Sequence, residues 1–216
     1  DNFAIVFSDI NKFKYINENI GYSTGNILLT EVARLFSSNL TEDELVCRNG
    51  DDKFILLIKY NTITDLRNRI DSLNEQILTL QNNKFKNINI ALISGISLAS
   101  TNNRDVIQLI DRANITRKTL KNSHKSTYSV YSCELHSKIT KEKSIEYKMR
   151  SALINKEFIV YLQPKIDLST RQISGAEALV RWLPPDENLI PPRDFIPLFE
   201  KNGFVVELDL DRKSTR

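Results

Sequence analysis

The chain has 216 residues, enough for one large domain or two small ones with a sizeable core. With 41% hydrophobic and 26% charged residues it is not a disordered chain, and 30 basic against 27 acidic side chains leave a net charge of only +3. That balance gives no strong polyelectrolyte attraction to nucleic acid or an anionic membrane, and no nucleic-acid partner is expected. Cys47 and Cys133 stand far apart in the sequence, which excludes a disulfide scaffold and a Cys-rich metal site. A reduced cytosolic compartment is therefore expected. His124 and His136 fall in no metal-ligand spacing.

β-Branched and aromatic runs predict strands at 3–8, 54–60, 87–98, 126–131, 158–163 and 172–180. Residues 24–39 place Ile27, Leu28, Val32, Leu35 and Phe36 on one helical face. Residues 63–80 do the same with Ile63, Leu66, Ile70, Leu73, Ile77 and Leu80, and 104–119 make a third helix. Alternation of strand and helix over 1–131 predicts an α/β domain with helices packed on a sheet. Residues 132–156, without Pro or Gly, predict a connecting helix with Ile139, Ile145, Met149 and Leu153 on one face. Its Lys138, Lys141, Lys143, Lys148 and Arg150 alternate with Glu142 and Glu146, the pattern of a solvated face.

Beyond 156 the texture changes. Five of the six prolines fall between 184 and 197, beside a short helix starting near Arg193, and mark a second domain over 157–210. The chain enters a strand within two residues of Asp1, so a preceding region is expected, and a membrane anchor there is left open. Read in frame, GAT CGG AAG AGC ACA CGT, which matches a common sequencing-library adapter, translates to the last six residues, 211–216. They are expected to be a non-native tail.

Two acidic points carry chemistry in the first domain. Asp9 ends the first strand, and Asp51 and Asp52 precede the strand at 54–60. Carboxylates at adjacent strand ends, with a backbone carbonyl, are hard oxygen ligands suited to Mg²⁺ and nucleotide phosphates. Two simpler readings stand beside this one: Asp9 as a helix cap and Asn49-Gly50 as a hairpin turn.

Residues 3–131 resemble the GGDEF domain of diguanylate cyclases. The resemblance runs through Phe7-Ser8-Asp9-Ile10-Asn11-Lys12-Phe13-Lys14-Tyr15-Ile16-Asn17, Gly21, Gly25-Asn26 and Gly50-Asp51-Asp52-Lys53-Phe54. It implies a central, mainly antiparallel sheet with flanking helices, akin to nucleotide cyclase and polymerase palms, and joining of two GTP into cyclic di-GMP at a homodimer interface. By position, Asp9, Asp52 and the Ile10 carbonyl are the implied Mg²⁺ ligands. Asn17 and Asn26 are the implied guanine contacts, and Lys118 the implied phosphate contact.

The chain departs from that family at four places. Its turn reads Gly-Asp-Asp-Lys-Phe where the family has Gly-Gly-Asp-Glu-Phe. Asp51 adds bulk and negative charge where close backbone approach is needed, and Lys53 reverses a negative charge. One misplaced charge within about 4 Å is worth about 4 kcal/mol at an effective dielectric of ~20, or roughly three decades of rate. Asn26 stands where an Asp accepts two N–H groups, and Asn122 where an Arg binds phosphate. Thr41-Glu42-Asp43-Glu44 replaces the Arg-x-x-Asp feedback motif, so no product-inhibition site is expected. A degenerate cyclase, inactive or nearly so, is the expectation, with binding of GTP left open.

Residues 157–210 contain Gln163-Pro164, then Glu177-Ala178-Leu179-Val180-Arg181-Trp182, then Phe195-Ile196-Pro197 and Glu200. On the residues alone, Glu177 near a strand end and Arg181 read as a metal ligand and a phosphate clamp, or as a surface ion pair. The segment resembles the opening of the EAL domain of cyclic di-GMP phosphodiesterases. That likeness implies the start of a TIM-like barrel with the active site at its strand ends. It makes Glu177 a catalytic ligand of Mg²⁺ or Mn²⁺, Arg181 a substrate-phosphate contact and Gln163 a pocket residue, in a reaction releasing linear diguanylate. A receptor of cyclic di-GMP without activity and a residual cyclase are the alternatives.

Overall fold

The computed structural model describes residues 2–100, 105–120, 125–185 and 188–214, the side chains of 211–214 excepted. Asn122 and the side chains of the tail 211–216 therefore lie outside the described residues. The chain divides into two compact units, Asp1–His136 and Ser137–Arg216.

Strand β1 (Asn2–Ile10) sets the architecture of the first unit. Ala4, Ile5, Val6 and Phe7 are all buried, so both faces of the strand are covered. It is followed by α1 (Phe13–Ser38), β2 (Leu45–Arg48), β3 (Lys53–Tyr60), α2 (Ile63–Lys84), β4 (Leu92–Leu98), α3 (Val106–Lys118) and β5 (Thr127–Val130). The sheet runs β2-β3-β1-β4-β5, antiparallel except for the parallel β4–β5 pair. Because strand side chains alternate, Ala4, Val6 and Ile10 join Leu28, Val32 and Phe36 of α1 and Leu66, Ile70 and Ile77 of α2 in the main core. Ile5 and Phe7 face the other way and meet Leu109 and Ala113 of α3.

Close approach of α3 requires Gly95. A Cβ there would collide with the Ala113 carbonyl and the Arg117 amide. By register Gly95 lies opposite Phe7, so α3 rests directly on the face that ends at Asp9.

Local chemistry accounts for the element ends. Helix α2 starts in a capping box: Asp65 N–H donates to Thr62 Oγ1 (3.1 Å) and Thr62 N–H to Asp65 Oδ2 (3.0 Å). Helix α1 begins at Phe13, eleven residues before the predicted helix at 24, and is kinked at Gly21 (φ 80°, ψ 153°). Leu29 rather than Ile27 faces the core of that helix; Ile27 is 53% exposed. β4 starts at Leu92, not 87, where the amides at its edge bond to side chains instead of a strand partner. Ile90 N–H goes to Gln81 Oε1 (2.7 Å) and Leu92 N–H to Ser126 Oγ (3.0 Å). The short β2, absent from the predicted strands, pairs with β3 from Leu45 to Arg48.

In the second unit, β6 (Phe158–Ile166) and β7 (Ile173–Trp182) form a two-stranded antiparallel sheet, followed by α5 (Pro192–Asn202) and α6 (Val205–Ser214). Its core gathers Val180, Trp182, Phe195, Leu198, Phe199, Phe204 and Leu208 with Ile145 and Ala152 of α4 (Cys133–Ile154). Trp182 packs against Phe158 and Phe195 at ring-centroid distances of 5.0 and 5.8 Å, and its Nε1–H donates to Glu157 Oε2 (2.9 Å). Among the described residues no helix is long and apolar enough to cross a membrane.

Candidate functional site

Odd-numbered residues of β1 face α3, and Asp9 is the last of them. Its register partner on β3 is Lys53, which sets Asp52 beside it in the preceding turn. The strands close there with Ile10 N–H donating to the Asp52 carbonyl at 3.3 Å. The turn is braced by Asn49 N–H to the Lys53 carbonyl (2.8 Å) and by Gly50 at φ 92°. Arg48 clamps it further, donating to the carbonyls of Gly50 (3.1 Å) and Asp51 (2.5 Å). Asp9, Ile10 and Asp52 thus line one cavity of about 290 Å³, together with Lys12, Lys14 and Arg117.

Arg117 is the residue that sequence reasoning missed. It is only 4% exposed, its guanidinium lies 5.2 Å from the centre of the Phe7 ring, and it donates to Asp9 Oδ2. Nη2 also donates to Asn114 Oδ1 at 2.9 Å. Burial pushes the Arg117 pKa below its usual value. Lys118, expected from the resemblance to reach phosphates, is exposed and does not line this cavity. One step along a helix turns a side chain by about 100°, and here it is Arg117 that faces the sheet.

Asp52 has its carboxyl pushed upward, chiefly by burial and further by Asp51, against the pull of Lys53 and Arg48. With Asp9 already neutralised by a guanidinium, the Asp9–Ile10–Asp52 set does not fit a divalent cation as it stands.

Asn17 lies against Gly25, whose missing Cβ leaves room for the amide. Its Oδ1 is buried and makes no hydrogen bond among the described residues. Asn26 is exposed, and its carbonyl accepts from Thr30 Oγ1 at 2.9 Å.

In the second unit Glu177 stands in the middle of β7, directly opposite Gln163 on β6, not at a strand end as the sequence suggests. Its side chain is 56% exposed and pairs with Lys165 at 3.7 Å. Arg181 stacks 5.8 Å from the Tyr161 ring centre and donates to the Val180 carbonyl (2.8 Å). Among the described residues no three His, Cys, Asp or Glu side chains converge as a metal site.

Residues 1–127 match the family model described as diguanylate cyclase, GGDEF domain, and residues 147–212 match that of the EAL domain. The chain belongs to the GGDEF family and carries an EAL match behind it. It is 30% identical over 212 residues to the signalling protein YkoW of Bacillus subtilis, covering 96% of this chain and 26% of that protein. It is 27% identical over 206 residues to MucR of Pseudomonas aeruginosa, a bifunctional diguanylate cyclase/cyclic di-GMP phosphodiesterase, covering 95% of this chain and 30% of that one. The chain therefore spans less than a third of the length of these relatives. The active GGEEF domain of a diguanylate cyclase from Vibrio cholerae shares the fold, with a TM-score of 0.53 at 20% identity over 61% of this chain and 84% of that one.

Proposed function

We propose that this chain belongs to a cyclic di-GMP signalling protein whose EAL domain hydrolyses cyclic di-GMP to linear diguanylate. Its GGDEF domain then serves as a regulator without cyclase activity. The carrying observation is the Arg117–Asp9 pair, which takes the carboxylate that a cyclase would devote to its cation. The Gly50-Asp51-Asp52-Lys53-Phe54 turn adds a second departure in the same cavity. MucR, which resembles the chain over both parts, supports the substrate class.

The match to the GGDEF family model, with Asn17 kept at the position of the implied guanine contact, supports retained binding of GTP in the regulatory domain. On the EAL side, Glu177 would offer one carboxylate oxygen to Mg²⁺ or Mn²⁺, Arg181 would hold a substrate phosphate and Gln163 would line the pocket. A bound divalent ion supplies charge neutralisation and an activated water. A TIM-like barrel completes this picture, and the parent protein is a homodimer in the same reading. Regulation follows if GTP binds two conformations of the first domain unequally.

A second reading, a cyclic di-GMP receptor without activity, is favoured by the pairing of Glu177 with Lys165. Incubating the purified parent protein and its Glu177→Gln variant with cyclic di-GMP and Mg²⁺ or Mn²⁺, with and without GTP, separates the readings. Hydrolysis lost in Glu177→Gln is the expected result. An intact dinucleotide supports the receptor, cyclic di-GMP made from GTP overturns the reading of the first domain as a non-cyclase, and the two results together overturn the assignment of both halves.

A further inference from the structure

We infer that Arg117 is a resident counter-ion that takes the place of a divalent cation at Asp9, so that the first unit holds no metal there. It rests on the reading of that unit as non-catalytic, but its test reads metal occupancy and not turnover, so the two fail separately.

Three observations carry it. First, Arg117 is buried and Asp9 partly so: side-chain exposure is 5% for Arg117 and 18% for Asp9, so the pair is not a surface contact that an incoming ion displaces freely. Second, the guanidinium is held from several sides. Phe7 lies beneath it, Asn114 Oδ1 accepts from Nε (3.3 Å) and Nη2 (2.9 Å), and α3 is seated on β4 at Gly95, where a Cβ would collide with the Arg117 amide. Third, the charges lining the cavity are those of Asp9 and Asp52 against Lys12, Lys14 and Arg117. A hard divalent cation needs anionic oxygens in excess; here three cationic side chains line the cavity with two carboxylates, Lys14 also pairing outward with Glu18 at 3.9 Å, and one carboxylate is already satisfied by Arg117. An anionic phosphate entering this cavity would meet guanidinium and ammonium groups in place of a metal ion.

The test is a Mn²⁺ titration of the ¹⁵N-labelled 216-residue chain, reading paramagnetic broadening of the Asp9, Ile10 and Asn11 amides. Wild type is expected to show no selective broadening at these amides. Arg117→Met, which keeps the apolar stem and removes the charge, is expected to bind Mn²⁺ at least about ten-fold more tightly. Adding Asp9→Asn to that variant should abolish the gain. Selective broadening in wild type overturns the inference, and so does a folded Arg117→Met that gains none. Should Arg117→Met fail to fold, Tm is compared for wild type and Asp9→Asn with and without Mn²⁺. No Mn²⁺-dependent stabilisation that Asp9→Asn removes is expected; such a stabilisation overturns the idea equally.

Discussion

Arg69 closes a fork on Glu44, with Nη1 donating to Oε1 at 2.5 Å and Nη2 to Oε2 at 2.9 Å. The amides of Lys59 (2.8 Å) and Thr41 (2.9 Å) complete the carboxylate's bonding, and Arg69 reaches on to the carbonyls of Lys59 and Asn39 at 3.0 Å each. One ion pair thus ties the end of α1, the approach to β2, the end of β3 and α2. It occupies the segment 41–44 where the sequence lacks the feedback motif, and its last residue has a structural task. The Glu44 side chain is 1% exposed, so loss of its partner strands a buried charge.

Acid should therefore unfold the first unit partly through Glu44. The Arg69 guanidinium, with help from the Thr41 and Lys59 amides, holds its pKa at about 2 against an ordinary 4.5. A depressed carboxylate contributes stability in full above its unfolded pKa, and that contribution is lost as pH falls through the folded value. The expected loss is about 3 kcal/mol between about pH 5 and pH 2. Urea unfolding across that range should show a much flatter acid dependence in Glu44→Gln, and parallel curves for the two proteins would refute the assignment.

Gly95→Ala should destabilise the first unit by about 1–3 kcal/mol, because the added methyl must push α3 away from β4. The same displacement withdraws Arg117 from Asp9. Guanidinium chloride unfolding measures the loss; a variant as stable as wild type would mean that α3 is free to shift.

Thr62→Ala removes half of the α2 capping box and should cost about 1 kcal/mol, since an exposed helix N-terminus loses one side-chain acceptor. Thr62→Ser retains the hydroxyl and should recover most of it. Equal stability of the Ala and Ser variants in urea would exclude a capping role.

The second unit should need α4. Ile145 and Ala152 are buried with Phe195, Phe199 and Trp182, so a fragment starting at 157 leaves that cluster uncovered. A fragment from Ser137 onward is expected to unfold more cooperatively than one from Glu157, which lacks Ile145 and Ala152. Calorimetry of both decides. A sharp transition in the shorter fragment would show that α4 is dispensable.

Much of this protein was legible in its sequence. The three-to-four spacing of Leu66, Ile70, Leu73 and Ile77 marked α2, and the alternation of strand and helix marked the sheet-and-helix architecture of the first unit. Asp9 and Asp52 could be paired because each borders a strand signal. β2 could not be read, since a four-residue edge strand with Leu45 exposed leaves no alternation to detect. Nor could the strand-end reading of Glu177 survive, because the β6–β7 register continues past it to Trp182.

Local pattern determined which residues prefer helix or strand and which face is apolar, because those preferences act over a few residues. Only the tertiary structure decided that Arg117, and not its neighbour Lys118, meets Asp9 across 108 positions of chain. That choice depends on how closely α3 seats on Gly95, a distance that packing sets and no local propensity encodes.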